Sequence, residues 1–354
     1  MTNGRLIRVM IVDDSILYRK AIHDSLDRIE GVEVVGVAPN GKLALAKLDA
    51  LKPDLITLDI EMPEMDGIEV LKALRAMNSK VTVIMVSSLT VQGGKMTMQA
   101  LELGAFDFIP KPSGATLEAN VEAITGSLRT IINAFIRKKY DFIPATMPRP
   151  APPPPRPVAL GLARQASKVV AIGVSTGGPL ALVSVIPKLP ATIGVPVFIV
   201  QHMPPLFTKS LAENLQSKSA IEVVEAVDAM EVKPNCVYIA PGGRQMRLVK
   251  NGASTVIQIN DDPPENSCRP SVDYLFRSLN AIYGTRITAV IMTGMGADGV
   301  KELGRLKDYG ALTMAQDRES CVVYGMPKEA ADTGAASMIV KLAEIADEIT
   351  KSVR

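Results

Sequence analysis

Short β-branched runs alternate with helical spacings along most of this chain. In the N-terminal part Arg8–Val12, Glu33–Val37, Leu55–Leu58, Val81–Val86 and Phe106–Ile109 are apolar runs of strand length. Between them apolar positions recur at three and four residues, the period of an amphipathic helix. Nearly continuous apolar strands separated by helices specify a parallel sheet covered on both faces. The expected fold is therefore α/β, with five parallel strands in this part.

The C-terminal part repeats the theme in Val169–Val174, Val197–Val200, Val237–Ile239, Ile287–Met292 and Ala311–Ala315. Met246–Ile259, with Asn251 and Gly252 at its middle, reads as an antiparallel hairpin on an Asn-Gly turn. A last helix is expected over about Ser337–Ser352, with Ile339, Leu342, Ile345 and Ile349 on one face. The second half is thus predicted to be a doubly wound, mostly parallel α/β domain with an antiparallel appendage.

A chain of 354 residues exceeds one ordinary core, since a domain takes roughly 100–200 residues. Pro148–Pro157 (PRPAPPPPRP) marks the division, because proline supplies no backbone donor to a helix or central strand. Thr116–Lys139 before it has helical spacing, so the boundary zone is Ile136–Ser167. The expected domains are 4–126, a helix extension and Pro-rich linker over 127–167, and 168–354.

Composition narrows the function. The net charge is +2, aromatic residues make up 4% and tryptophan is absent, so nothing marks a nucleic-acid surface. No apolar run approaches the ~18 residues of a membrane span. Leu6–Val12 is interrupted by Arg8 and runs into Asp13 and Asp14, unlike a signal peptide. Cys236, Cys268 and Cys321 are odd in number and widely spaced, which fits a reducing cytoplasm and buried apolar cysteines rather than a zinc site.

Two groups of residues carry chemistry. Asp13 and Asp14 follow the first strand, Asp59 ends the third, Ser87 ends the fourth and Lys111 follows the fifth. In a parallel sheet all emerge at the carboxyl edge, where open α/β sheets bind ligands. Capping of the next helix is the plainer role for Asp13 and Asp14. Three converging carboxylates call instead for a divalent cation such as Mg²⁺, offset by Lys111, with phosphoryl transfer to Asp59.

In the second half Gly173–Gly177 (GVSTG) sits between a strand and a helix opened by Pro179. Such a turn exposes Ser175, and the amides of Thr176–Gly178 could hold an oxyanion. A phosphate-cradling loop is the alternative, but the Gly-x-Gly-x-x-Gly and Gly-Lys-Ser/Thr spacings are missing. The chain has 2 histidines. His23 falls on the first helix as a surface or half-buried residue, whereas His202 follows a strand at the carboxyl edge and is the candidate base. Asp298, in Thr293–Gly299 (TGMGADG), is the candidate orienting carboxylate, and it has no evident capping duty; Asp261 and Asp262 rank below it.

Ile11–Ser15 (IVDDS), Leu58–Gly67 (LDIEMPEMDG) and Ile109–Pro112 (IPKP) resemble the receiver domain of two-component response regulators. The resemblance implies a flavodoxin-like fold, phosphorylation of Asp59 by a histidine kinase, the Glu61 backbone carbonyl as a further Mg²⁺ ligand, and Ser87 with Phe108 as a switch pair. Ile172–Pro179 (IGVSTGGP), Gln201–Ala212, Ile239–Gly243 (IAPGG), Arg269–Ser278 (RPSVDYLFRS), TGMGADG and Ser320–Ala330 together resemble the chemotaxis protein-glutamate methylesterases. That resemblance implies hydrolysis of glutamate methyl esters on chemoreceptor signalling helices, and deamidation of receptor glutamines. It assigns Ser175, His202 and Asp298 as a triad, and Thr176, Gly177 and Met295 to the oxyanion and substrate surroundings, with no cofactor for hydrolysis. It also implies a cytoplasmic protein whose unphosphorylated receiver covers the esterase cleft. The chain departs from the pattern at Asn214, where a basic residue is common, and at Gln245 and Cys268, where His is frequent. A response regulator with a non-catalytic binding output, or a serine hydrolase of a small ester, are the competing functions.

Overall fold

The computed structural model describes residues 6–112, 114, 116–140 and 165–354. Pro148–Pro157 and most of the expected linker lie outside the described residues. The chain divides into two compact units, 1–135 and 136–354.

The first unit runs β1 (Ile7–Val12), α1 (Ile16–Leu26), β2 (Val32–Ala38), α2 (Gly41–Leu51), β3 (Leu55–Asp59), α3 (Gly67–Ala76), β4 (Thr82–Ser87), α4 (Val91–Glu102), β5 (Asp107–Pro110) and α5 (Leu117–Tyr140). The strands form one parallel sheet in the order β2-β1-β3-β4-β5, as the five apolar runs imply. Four helix starts are written locally: Ser15, Asn40, Asp66 and Thr90 each accept an amide of the first turn, and Asp66 forms a capping box with Glu69. Helix α5 continues past residue 126, where the first domain was expected to stop. Leu128, Ile131, Ile132, Ala134 and Phe135 are buried, so the compact unit extends to about residue 135.

The second unit runs β6 (Val169–Val174), α6 (Gly178–Val185), β7 (Val197–Gln201), α7 (Phe207–Gln216), β8 (Glu222–Glu225), β9 (Cys236–Ile239), β10 (Gln245–Asn251), β11 (Ser254–Asn260), α8 (Val272–Tyr283), β12 (Ile287–Ile291), α9 (Val300–Asp308), β13 (Leu312–Gln316), α10 (Met326–Asp332), β14 (Met338–Val340) and α11 (Ile345–Ser352). Its main sheet is parallel, in the order β14-β13-β12-β6-β7-β9-β8, with β10 and β11 as a separate antiparallel pair. Strand β6 starts the chain path outward in both directions, to β7 on one side and to β12 on the other. The crevice at such a reversal, beyond the strands' carboxyl ends, is where an α/β sheet binds its ligand.

Two local expectations change, and one strand was missed. The hairpin pairs Asn251 with Ser254, so its two-residue loop is Gly252–Ala253, with Gly252 at φ 59° supplying the left-handed first position. The helix expected from Ser337 begins only at Ile345. Met338–Val340 instead pairs with β13 as an edge strand, and Ile339 is 51% exposed while Ile345 and Ile349 are buried. The β-branched pair Ile339-Val340 suits a strand better than a helix start. Strand β8, which carries three charged or half-buried positions out of its four, had too weak an apolar signal to be read. Among the described residues, no helix is long and apolar enough to cross a membrane.

Candidate functional site

In the first unit, register brings the acidic residues together. Val12 pairs with Leu58, so Asp13 and Asp59 follow side by side on neighbouring strands. Asp13, Asp14 and Asp59 offer carboxylate oxygens within 4.8 Å of one another. Lys111, following β5, places Nζ 2.7 Å from Asp59 Oδ2 and 3.0 Å from Asp13 Oδ2. The second contact has ion-pair distance but not hydrogen-bond direction, and Asp13 Oδ2 is left buried without a hydrogen bond. The helix cap is Ser15, whose own amide donates to Asp13 Oδ1 at 2.8 Å, so capping does not use up Asp13 or Asp14.

Burial pushes the Asp59 carboxyl up to about 6, and the Asp13 charge adds to it against the opposing pull of Lys111 and the Glu61 amide. Burial likewise raises Asp13 above the usual carboxylate range. One lysine therefore does not neutralise this pocket. Two buried carboxylates raised by burial beside a single lysine, one of them with an oxygen that accepts no hydrogen bond, are what a hard divalent cation relieves, and the all-oxygen donor set fits Mg²⁺.

Ser87 and Phe108 are both buried. The Ser87 hydroxyl is turned to α4, donating to the Gly93 carbonyl at 3.2 Å and accepting from Thr97 at 2.8 Å. Two supporting residues were not legible in the sequence. Tyr18 on α1 places its ring 4.6 Å under Lys111 Nζ and donates to the Pro112 carbonyl, and Arg19 donates to the carbonyls of Asp13 and Asp14.

In the second unit the same logic applies at β6, β7 and β12. Val174 pairs with Gln201, so Ser175 and His202 step off adjacent strands together. The Ser175 amide donates to the Thr293 carbonyl just after β12, which ties the third strand end to the Ser175 turn. His202 Nε2 lies 2.8 Å from Asp298 Oδ2. Ser175 is half-buried and, among the described residues, its hydroxyl has no hydrogen bond to His202. Catalytic hydrogen bonds are often long before substrate closes them.

The Ser175 turn is built from glycine where space demands it. Gly177 has φ 74°, and a Cβ there would lie 2.4 Å from Val322. A Cβ on Gly294 would lie 2.7 Å from Ser175 Cβ, so only glycine lets the β12 loop pass behind the serine. The Gly178 amide closes the turn onto the Ser175 carbonyl at 2.7 Å. Among the described residues the Thr176 and Gly177 amides have no partner, so both could donate to an anion at the turn. Thr176 is buried and Met295 half-buried beside this turn.

Asp298 has a second duty that the sequence did not announce. Its carboxylate accepts from Ser271 Oγ at 2.8 Å, Asn266 Nδ2 at 2.8 Å, Val272 N at 2.7 Å and Asp273 N at 3.3 Å. The last two amides open α8, so one carboxylate at 4% exposure caps a helix and holds the imidazole. These bonds and His202 keep Asp298 ionised, below its ordinary range, against the effect of burial. Burial works against a charged imidazole, yet the bonds to Asp298 and the Cys268 thiol outweigh it and push His202 up to about 9.

Other buried polar groups brace the site. Gln201 Nε2 donates to the carbonyls of Ser175 at 3.0 Å and His202 at 3.3 Å, joining the two strand ends. Thr293 Oγ1 donates to the Thr176 carbonyl at 3.0 Å, and its amide is held by Gln316. Asp261 and Asp262 are exposed and pair with Arg244 and Tyr274, and among the described residues it is Asp298, not either of them, that holds the His202 ring. His23 sits on the outside of α1 against Asp27. The cysteines are unpaired; Cys236 is buried, but Cys268 and Cys321 are only half-buried, and Cys268 stands in the site itself.

Comparison with known proteins gives the arrangement a context. A family model described as CheB methylesterase matches residues 170–349, and one described as response regulator receiver domain matches residues 9–122. A protein-glutamate methylesterase/protein-glutamine glutaminase of Desulfotalea psychrophila is 50% identical over 98% of this chain and 99% of its own. A protein of the same name from Clostridium acetobutylicum is 43% identical over 98% of each. The crystal structure of the Thermotoga maritima CheB methylesterase catalytic domain superposes with a TM-score of 0.51 at 42% identity, covering 53% of this chain and 99% of that one.

Proposed function

This chain belongs to the CheB methylesterase family, with a response regulator receiver domain ahead of the methylesterase domain, and from that premise we infer that Ser175, His202 and Asp298 carry its hydrolysis. The protein is a protein-glutamate methylesterase and protein-glutamine glutaminase under receiver control. The observation that supports the triad is the 2.8 Å pair of His202 and Asp298 standing in register beside Ser175 at the sheet's reversal point.

With Nε2 committed to Asp298, Nδ1 is the ring nitrogen left to take the Ser175 proton. The serine oxygen then attacks the γ-carbonyl of the esterified glutamate, and the Thr176 and Gly177 amides receive the oxyanion. His202 returns the proton to the departing methoxide, methanol leaves, and an acyl-serine remains. Water attacks that ester with His202 again as base, releasing glutamate and restoring the Ser175 hydroxyl. A side-chain amide follows the same path with ammonia as the leaving group. Asp298 stays ionised throughout and stabilises the imidazolium that forms twice per turnover.

In the receiver, Asp59 accepts the phosphoryl group, and Asp13, Asp14, Asp59 and the Glu61 carbonyl would hold Mg²⁺. The cation, when bound, neutralises charge on the transferring phosphoryl group. Lys111 offsets the negative charge left on Asp59, and Ser87 and Phe108 read its phosphorylation through α4 and β5. The partners are methylated chemoreceptor signalling helices and a chemotaxis histidine kinase, and three unpaired cysteines accord with a cytoplasmic setting.

Methanol release from methylated receptor tests the triad. Ser175→Ala should lower kcat by on the order of 10⁴ or more. An undiminished rate in a folded variant removes Ser175 as nucleophile.

A further inference from the structure

Each polar edge of the His202 ring has an occupant. Asp298 holds Nε2, and Cys268 Sγ stands 3.8 Å from Nδ1. The thiol therefore occupies the edge through which the Ser175 proton must pass.

Cys268 is fixed there from both sides. Glu265 and Cys268 exchange backbone hydrogen bonds of 3.1 and 2.8 Å, across Asn266 and Ser267 with φ of 52° and 62°. Gln245, at 0% exposure, donates from Nε2 to the Cys268 carbonyl at 3.3 Å and accepts the Ser271 amide at 2.9 Å. Two of the positions at which this chain departs from the family pattern thus touch one another, and one of them touches the base.

We propose that Cys268, held in place by Gln245, is a positioning residue that covers the Nδ1 edge of His202 and restrains the resting imidazole from taking the Ser175 proton. The proposal rests on the triad reading and adds a regulator of its base. The ionisable groups acting on the ring are the Asp298 carboxylate and the Cys268 thiol, and both favour its charged form. The same three side chains have the types of a zinc site, with ligand atoms within 4.8 Å. However, Asp298 and Cys268 address opposite ring nitrogens, and one ion can take only one of them.

The test is a histidine NMR titration on the full chain. The protein has 2 histidines, and His23→Gln assigns their signals. Cys268→Ala should lower the His202 midpoint, and for each pH unit it falls, the neutral fraction at pH 7, and with it kcat, should rise about tenfold at unchanged KM. Cys268→Ser should give a smaller shift, because a hydroxyl keeps part of the contact with Nδ1. Gln245→Met should move the midpoint in the same direction with the thiol still present. An unmoved midpoint in Cys268→Ala overturns the proposal. A moved midpoint alongside full activity of Ser175→Ala upholds the thiol contact and overturns the triad, which separates the two failures.

Discussion

Replacing Asp298 with asparagine should damage two things at once. Oδ2 accepts from His202 Nε2 and the Val272 amide, and Oδ1 accepts from Ser271 Oγ, Asn266 Nδ2 and the Asp273 amide. Whichever way the new amide turns, its NH₂ faces at least two donors. Each lost bond to a charged acceptor is worth about 1.5–3 kcal/mol, so the second domain should lose on the order of 3 kcal/mol or more. The imidazole also loses the carboxylate that fixes its tautomer, and kcat should fall by on the order of 10⁴. Chemical denaturation of the full chain, followed by a probe in the second domain, measures the first effect, and methanol release measures the second. Ser175→Ala is the control, because it should abolish activity with stability unchanged. If Asp298→Asn is as stable as Ser175→Ala to within about 0.5 kcal/mol, the double duty of this carboxylate is refuted.

Two further outcomes follow from the geometry. The raised Asp59 carboxyl means that the native receiver binds its proton more tightly than the unfolded chain, so receiver stability should fall as pH rises from about 3.8 through about 6. Asp59→Asn should lessen that decline, with the raised Asp13 carboxyl supplying what remains, and abolish phosphorylation, while Mg²⁺ should raise the unmodified receiver's melting temperature more at pH 8 than at pH 5; a flat pH response in the unmodified receiver, or equal Mg²⁺ stabilisation of both proteins, contradicts this reading of the acidic pocket. Gly294→Ala should displace Ser175, since the added methyl would lie 2.7 Å from its Cβ, and lower kcat by on the order of 10²; unchanged kcat shows that the loop can yield.

Much of this molecule is legible along the chain because its determinants are local. The core strands are buried on both faces, so their apolar runs are nearly continuous, and helix caps such as Ser15 and Asp66 lie within three residues of the amides they hold. The carboxyl-edge positions of Asp13, Asp59, Ser175 and His202 follow from strand ends alone, which is why those residues could be singled out. Weakly patterned edges escaped: β8 and β14 each pair on one side only, so little in their composition separates them from loop or helix. The tertiary structure decided what meets across long separations. Asp298 caps a helix that begins 26 residues earlier in the chain, and Thr293 braces a carbonyl 117 residues away. Gln245, from yet another segment, holds the backbone carbonyl of Cys268, whose thiol faces His202. Residue type and periodicity specify which face a side chain takes within its own element, but strand order and register choose its neighbours, and those neighbours determine whether an aspartate is only a cap or also the partner of a base.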